Sequence, residues 1–193
     1  MANEIRSLCV YCGSSDGYVA SHAAAAHDLG NYLANKRINL VYGGTAVGLM
    51  GIIANTVLKK GGTVTGVTTE HFHAAGITHD GVTQSVITPD MHSRKAEMML
   101  HADAFVALPG GIGTLEEVTE ALTWAHIGHH RKPVGFLNVD GFYNPLIQML
   151  DQMVASGFYR QEQRDALVVA ASPEELIEKL RAAAWPDVAK WVR

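Results

Sequence analysis

The sequence is poor in three things, and each scarcity excludes a class of protein. It has two cysteines in 193 residues, too few for the disulfide framework that staples small secreted folds. Charged residues make up only 18%, with a net charge of −4. That leaves neither the basic footprint of a nucleic-acid binder nor a polybasic membrane patch. Uninterrupted apolar runs long enough to span a membrane are missing. The uncharged stretch from Ile38 to Leu58 comes nearest, but Asn39, Gly43, Gly44, Thr45, Gly48, Gly51, Asn55 and Thr56 break it, and such groups are costly in lipid. Residues Met1 to Arg6 lack the charged-then-apolar build of a signal peptide. These features predict a soluble cytoplasmic protein without a nucleic-acid or membrane partner.

Hydrophobic residues make up 48% of the chain, and its length predicts one domain over residues 1–193. Short apolar segments bounded by Gly, Pro or polar residues occur at Ser7–Tyr11, Asn39–Tyr42, Thr63–Val67, Ala104–Leu108 and Val134–Leu137, the pattern of strands buried on both faces. Helical patterns fall at Tyr18–Asn35, Val47–Lys60, His92–Ala102, Leu115–Gly128 and Asn144–Ser156. A late one, Pro173–Ala184, follows the apolar run Leu167–Ala170. Alternation of this kind predicts a single Rossmann-like α/β domain, a parallel sheet with helices on both faces. The least regular region, Thr68 to Thr88, carries His71, His73 and His79 and is expected to be a flap near the site.

The nineteen glycines show no repeat period; many cluster after strands. Cys12-Gly13-Ser14-Ser15 follows the first strand, Gly43-Gly44-Thr45-Ala46-Val47-Gly48 the second, and Pro109-Gly110-Gly111-Ile112-Gly113-Thr114-Leu115-Glu116-Glu117 the segment ending at Leu108. In a parallel sheet these turns share one edge, where helix N-termini offer free N–H groups to an anion. Residues Gly13, Ser14, Gly43, Gly44 and Gly110 to Glu116 are therefore candidate substrate contacts. The dinucleotide fingerprint fails because Glu116 stands where its third glycine is required, and no Gly-Lys-Ser/Thr supplies a Walker A loop. A mononucleotide or sugar phosphate remains.

Two charged clusters flank the third turn, and each has two readings. Thr114-x-x-Glu117 has the spacing of a helix capping box; a carboxylate there could equally activate water or stabilise positive charge on a ribose. Arg94 and Lys95 lie in the first turn of a helix that Asp90 would cap, where cations oppose the helix dipole. They read either as a solvated surface pair or, through Arg94's planar fork, as a phosphate or nucleobase contact. Cys9-x-x-Cys12 reads as two buried strand thiols rather than a redox pair. The ten histidines read as surface or loop groups rather than metal ligands, since no carboxylate-supported cluster accompanies His71, His73, His126, His129 or His130. Trp124, Met98, Met99 and Leu100 are expected to pack in the core or an interface.

The motif Met91-His92-x-Arg94-Lys95, followed by Pro109-Gly110-Gly111-x-Gly113-Thr114-x-x-Glu117, resembles the Lonely Guy (LOG) family of cytokinin riboside 5′-monophosphate phosphoribohydrolases. The flanks Tyr11-Cys12-Gly13-Ser14-Ser15, Gly48-Leu49-Met50-Gly51 and Lys132-Pro133-Val134-Gly135 agree, so the likeness runs over about the first three-quarters of the chain. The resemblance implies a homodimer that hydrolyses adenosine 5′-monophosphate, or an N6-modified form of it, to free base and ribose 5-phosphate. It implies Arg94 and Glu117 as the catalytic pair, Gly111 to Thr114 as the phosphate cradle, and Lys95 and Thr123 as further substrate contacts. No metal or redox cofactor is implied. Thr45 replaces the third glycine of the family's usual triple-glycine turn, and Gly76 falls near the place where plant members carry an acidic residue. A non-catalytic nucleotide or cofactor carrier is the alternative. Pyridoxal-dependent decarboxylation, a label the family has inherited, finds no evident Schiff-base lysine.

Overall fold

The computed structural model describes residues 4–186. Seven strands form one parallel sheet: β1 (Ser7–Tyr11), β2 (Asn39–Tyr42), β3 (Val64–Thr69), β4 (Gln84–Thr88), β5 (Ala104–Ala107), β6 (Val134–Leu137) and β7 (Val168–Ala170), in spatial order β4-β3-β2-β1-β5-β6-β7. β1 lies at the centre, paired with β2 on one side and β5 on the other, so the chain changes direction across the sheet there. Ligands of doubly wound folds collect at such a switch point.

Alternation along the strands feeds two cores. Leu8 and Val10 of β1 pack with Leu29 of α1 (Ala20–Lys36), Ile53 of α2 (Gly48–Lys59) and Leu176 of α8 (Pro173–Ala182). Cys9 and Tyr11 point to the other face, against Met98 of α4 (Met91–His101), Val118 of α5 (Ile112–His126) and Leu150 of α6 (Asn144–Ala155). Burial on both faces explains why the inner strands read as continuous apolar runs. The Rossmann-like architecture expected from the alternation is the observed one. Among the described residues, no helix is long and apolar enough to cross a membrane.

The sequence reading needs correction at the sheet's edge. Thr68–Thr88 is not an irregular flap: β3 runs on to Thr69, α3 spans Glu70–Ala74, and Gln84–Thr88 is β4. An edge strand has one side in solvent, and Gln84-Ser85-Val86-Ile87-Thr88 accordingly lacks the apolar run that marked the others. Residues 75–83, between α3 and β4, are themselves tethered to the turn after β2, through Ala46 N–H to Ile77 O at 3.1 Å and His79 N–H to Gly44 O at 2.9 Å. The polar helix α7 (Gln161–Ala166) also went unexpected. α5 starts at Ile112, three residues before its expected start, which changes the site.

Candidate functional site

The three glycine turns interlock at the carboxyl edge of β1, β2 and β5. Gly13 N–H donates to Pro109 O at 3.1 Å, and a Cβ on Gly13 would lie 3.0 Å from Ser15 O. Gly48, at φ +61, presses its α-carbon against the Ser14–Ser15 backbone, where a side chain would collide. A Cβ on Gly110 would strike Thr114 and come within 2.9 Å of Gly13 N. These glycines are required by the fold itself.

Gly111 and Gly113 are not. An added Cβ at either would meet nothing within 4 Å, and neither has positive φ. Gly113 even sits in the first turn of α5, where glycine costs about 0.5–1 kcal/mol relative to alanine. Gly111 is the N-cap and supplies no side-chain bond, so the first N–H groups of α5 face outward without helical acceptors. Two bare positions with no internal reason, beside exposed donors, mark where an anion can approach the backbone.

Next to them lies a buried ion pair. Asp90 caps α4 by accepting from Ser93 N–H at 2.8 Å. Arg94 is 4% exposed; its Nε donates to Val67 O of β3 at 3.0 Å and its Nη1 to Glu117 Oε1 at 2.9 Å. Lys95, 5% exposed, donates to Glu116 and, at 3.0 Å, to Glu120 Oε1. The solvated-surface reading of this pair is therefore overturned: both cations are buried and cross to α5. The capping-box reading falls too. The N-cap is Gly111, Thr114 is buried inside the first turn, and the Glu117 carboxylate turns to Arg94.

Burial pushes the Glu117 carboxyl above its ordinary value, against the opposing pull of the Arg94 guanidinium. For Lys95 burial acts downward, but the bonds to Glu116 and Glu120 outweigh it and hold the ammonium above its ordinary value. Gly113 and Glu117, four apart, share one face of α5 about one turn, roughly 6 Å, from each other. An anion at Gly113 would place its substituents over Glu117.

The other candidate residues scatter by role. Gly13, Gly43, Gly44 and Gly110 line the interlocked turns, and Ser14 is exposed beside them. Ile112 is 83% exposed at the helix start, while Leu115 is half-buried. Thr123 turns its hydroxyl back to Thr119 O at 2.7 Å, further down α5. Cys9 and Cys12 are buried free thiols packed in opposite cores, and burial pushes both upward. His130 bonds Ala121 O and His126 bonds Gln163; no group of three or more potential metal ligands occurs among the described residues. Met98 and Met99 are buried and Trp124 half-buried against the core. Leu100 is 75% exposed, which corrects the core half of its expected place, core or interface. Sequence reasoning missed the Val67 carbonyl, which carries no side-chain signal. Glu120 shares a helix face with Glu116, four residues earlier, but its bond to Lys95 comes from the packing of α4 against α5.

Residues 50–180 match the family described as "Possible lysine decarboxylase". The chain is 47% identical over 178 residues to cytokinin riboside 5′-monophosphate phosphoribohydrolase LOG3 of Arabidopsis thaliana, covering 92% of this chain and 83% of that one. It is 46% identical over 178 residues to the enzyme LOG of Oryza sativa subsp. japonica, covering 92% and 74%. Among solved structures it is similar to the molybdenum cofactor binding protein of Rippkaea orientalis, with TM-score 0.68, 24% identity and coverage of 93% and 97%. At that identity the likeness extends to the fold alone.

Proposed function

We propose that this chain, which belongs to the Lonely Guy family of cytokinin riboside 5′-monophosphate phosphoribohydrolases, hydrolyses the N-glycosidic bond of adenosine 5′-monophosphate or an N6-modified form of it. The observation that carries the reading is the buried Arg94–Glu117 pair, one helical turn from the two glycines whose missing side chains face open space.

The 5′-phosphate sits against the N–H groups of Gly111, Gly113 and Thr114, where the dipole of α5 favours an anion. Binding at that remote group orients the ribose over Glu117. As the bond from C1′ to the base lengthens and positive charge grows on the sugar, ionised Glu117 takes a proton from the attacking water. The water oxygen bonds to C1′; the base leaves with the bonding electron pair and takes up a proton from solvent, and Glu117 releases the water's proton to solvent, which restores its ionised form. The products are free base and ribose 5-phosphate. Arg94 holds Glu117 in place and, as its counter-charge, keeps it ionised against the cost of burial.

Decarboxylation through a Schiff base is disfavoured by the same side chains. It needs a neutral amine, and the buried Lys95 is held as an ammonium between two carboxylates. The two free thiols suit a reducing compartment, which supports a cytoplasmic location, and the family likeness supports a homodimer.

Chromatography of incubations with adenosine 5′-monophosphate tests the assignment. The wild-type protein should release adenine, while Glu117→Gln and Arg94→Ala, still folded by circular dichroism, should release almost none. Equal turnover in both variants would remove the pair from catalysis. Tight binding by the wild type with no base release would establish a carrier instead.

A further inference from the structure

A second cleft lies away from the α4–α5 charges, between α1 and α2. We infer that it binds a sugar phosphate, the phosphate held by Lys59 and Lys60 and the sugar hydroxyls by His27, Asn31 and Asn55. The inference is independent of the reaction assigned to Glu117.

One glycine lets the two helices meet. A Cβ on Gly30 of α1 would lie 2.9 Å from Thr56 Cβ of α2, so the backbones approach closely there. Beside this contact opens a cleft of about 530 Å³, within the size range of small-molecule sites. Ile52, Asn55, Thr56 and Lys59 form its α2 wall, at spacings that put them on one helix face. His27 and Asn31, four apart, form its α1 wall. A face between packed helices is ordinarily apolar, and most of these positions are polar.

Internal bonds orient part of this polar set and leave the rest open to a ligand. Thr56 donates its hydroxyl to Ile52 O at 2.8 Å, so it accepts from His27 Nδ1, also at 2.8 Å. That bond fixes the ring and, in the neutral imidazole, leaves Nε2 as an acceptor for a hydroxyl. Asn55 meets His79 through Oδ1 at 3.2 Å, which leaves its amide NH2 to donate. Asn31 is half-buried and makes no side-chain bond among the described residues. Lys59 and Lys60 form no ion pair among them either, and the lean of helical side chains toward the N-terminus carries the Lys59 ammonium toward Asn55. Asp16 also lines the cleft, but it follows Ser15, against which Gly48 packs. Gly48 and Lys59 lie about 16 Å apart along α2, beyond the roughly 8–10 Å over which exposed charges stay coupled in salt. Unpaired cations, amide donors and one bare acceptor suit a ligand with a dianionic end and a hydroxylated body. A purine would find no Phe, Tyr or Trp in the lining, and phosphate alone would leave Nε2 unused.

NMR titration of the full chain with ribose 5-phosphate tests this, because each site reports through its own residues. Signals of the His27 ring and of the Asn31 and Asn55 side-chain amides should shift saturably, on a curve separate from that of the Gly111–Thr114 backbone. Inorganic phosphate and ribose, each alone, should bind the cleft about tenfold more weakly. Lys59 and Lys60 are exposed, so Lys59→Gln/Lys60→Gln should fold as the wild type does. It should weaken the cleft curve about tenfold and leave the α5 curve unmoved. Asn31→Leu should reduce the advantage of ribose 5-phosphate over phosphate. Shifts confined to α5, or a cleft curve that the lysine variant does not weaken, would overturn the inference. Phosphate binding as tightly as ribose 5-phosphate would overturn the sugar half of it. A wild-type protein that releases no adenine would overturn the functional reading and leave this result standing.

Discussion

A Cβ on Gly43 would occupy the space of Nη2 of Arg94, and it would also lie 3.0 Å from Met50 Sδ. The glycine turn after β2 is thus the seat of the arginine as well as a neighbour of the phosphate cradle. Gly43→Ala should push the guanidinium out of line with Glu117 and lower kcat by about a hundredfold, the usual consequence of an ångström's misplacement. Steady-state assays of base release check this. Wild-type kcat in that variant would show that Arg94 has room to spare.

The two bare glycines at the start of α5 should separate binding from stability. Gly113→Ala should raise stability by about 0.5–1 kcal/mol, since alanine is the better helix former, while KM for adenosine 5′-monophosphate rises. Gly111→Ala should raise KM with little change in stability. Gly110→Ala, whose Cβ would strike Thr114, should destabilise instead. Thermal melts alongside kinetics decide the matter; an unchanged KM in both Gly111→Ala and Gly113→Ala would place the phosphate elsewhere.

Burial lifts the Glu117 carboxyl above its ordinary value, which has a consequence for the pH profile. A general base works only when ionised, so activity should be full above the folded value and lost as pH falls through it. The acid limb should accordingly lie above the ordinary glutamate value of about 4.3. A limb at or below that value would mean that Glu117 is better solvated than its packing indicates.

Behind the third turn, Tyr143 is buried and donates its hydroxyl to Leu108 O at 2.5 Å, one residue before Pro109. Tyr143→Phe leaves that carbonyl without its donor and should cost about 1–3 kcal/mol. Because the lost bond braces the turn, KM should rise as well. Denaturant unfolding and kinetics on the same preparation test both expectations.

Much of this was readable from local pattern. Inner strands buried on both faces leave continuous apolar runs, and the turns after them need glycine, so the alternation alone determined a parallel sheet with three glycine turns on one edge. Those are properties of neighbouring residues. The partnership of charges is not. Thr114-x-x-Glu117 has the same spacing whether Thr114 caps the helix or lies inside it; only the start of α5 at Ile112 turns Glu117 inward. Likewise Arg94 and Lys95 are adjacent in sequence but roughly 100° apart around α4, and which glutamate each meets depends on how α4 and α5 pack together against the sheet. The edge strand Gln84–Thr88 shows the same boundary from the other side, since it is recruited by pairing with β3 rather than by an apolar pattern of its own. Local chemistry determined what kinds of group stand at the site; the packing of two helices separated by a strand decided which carboxylate holds the arginine.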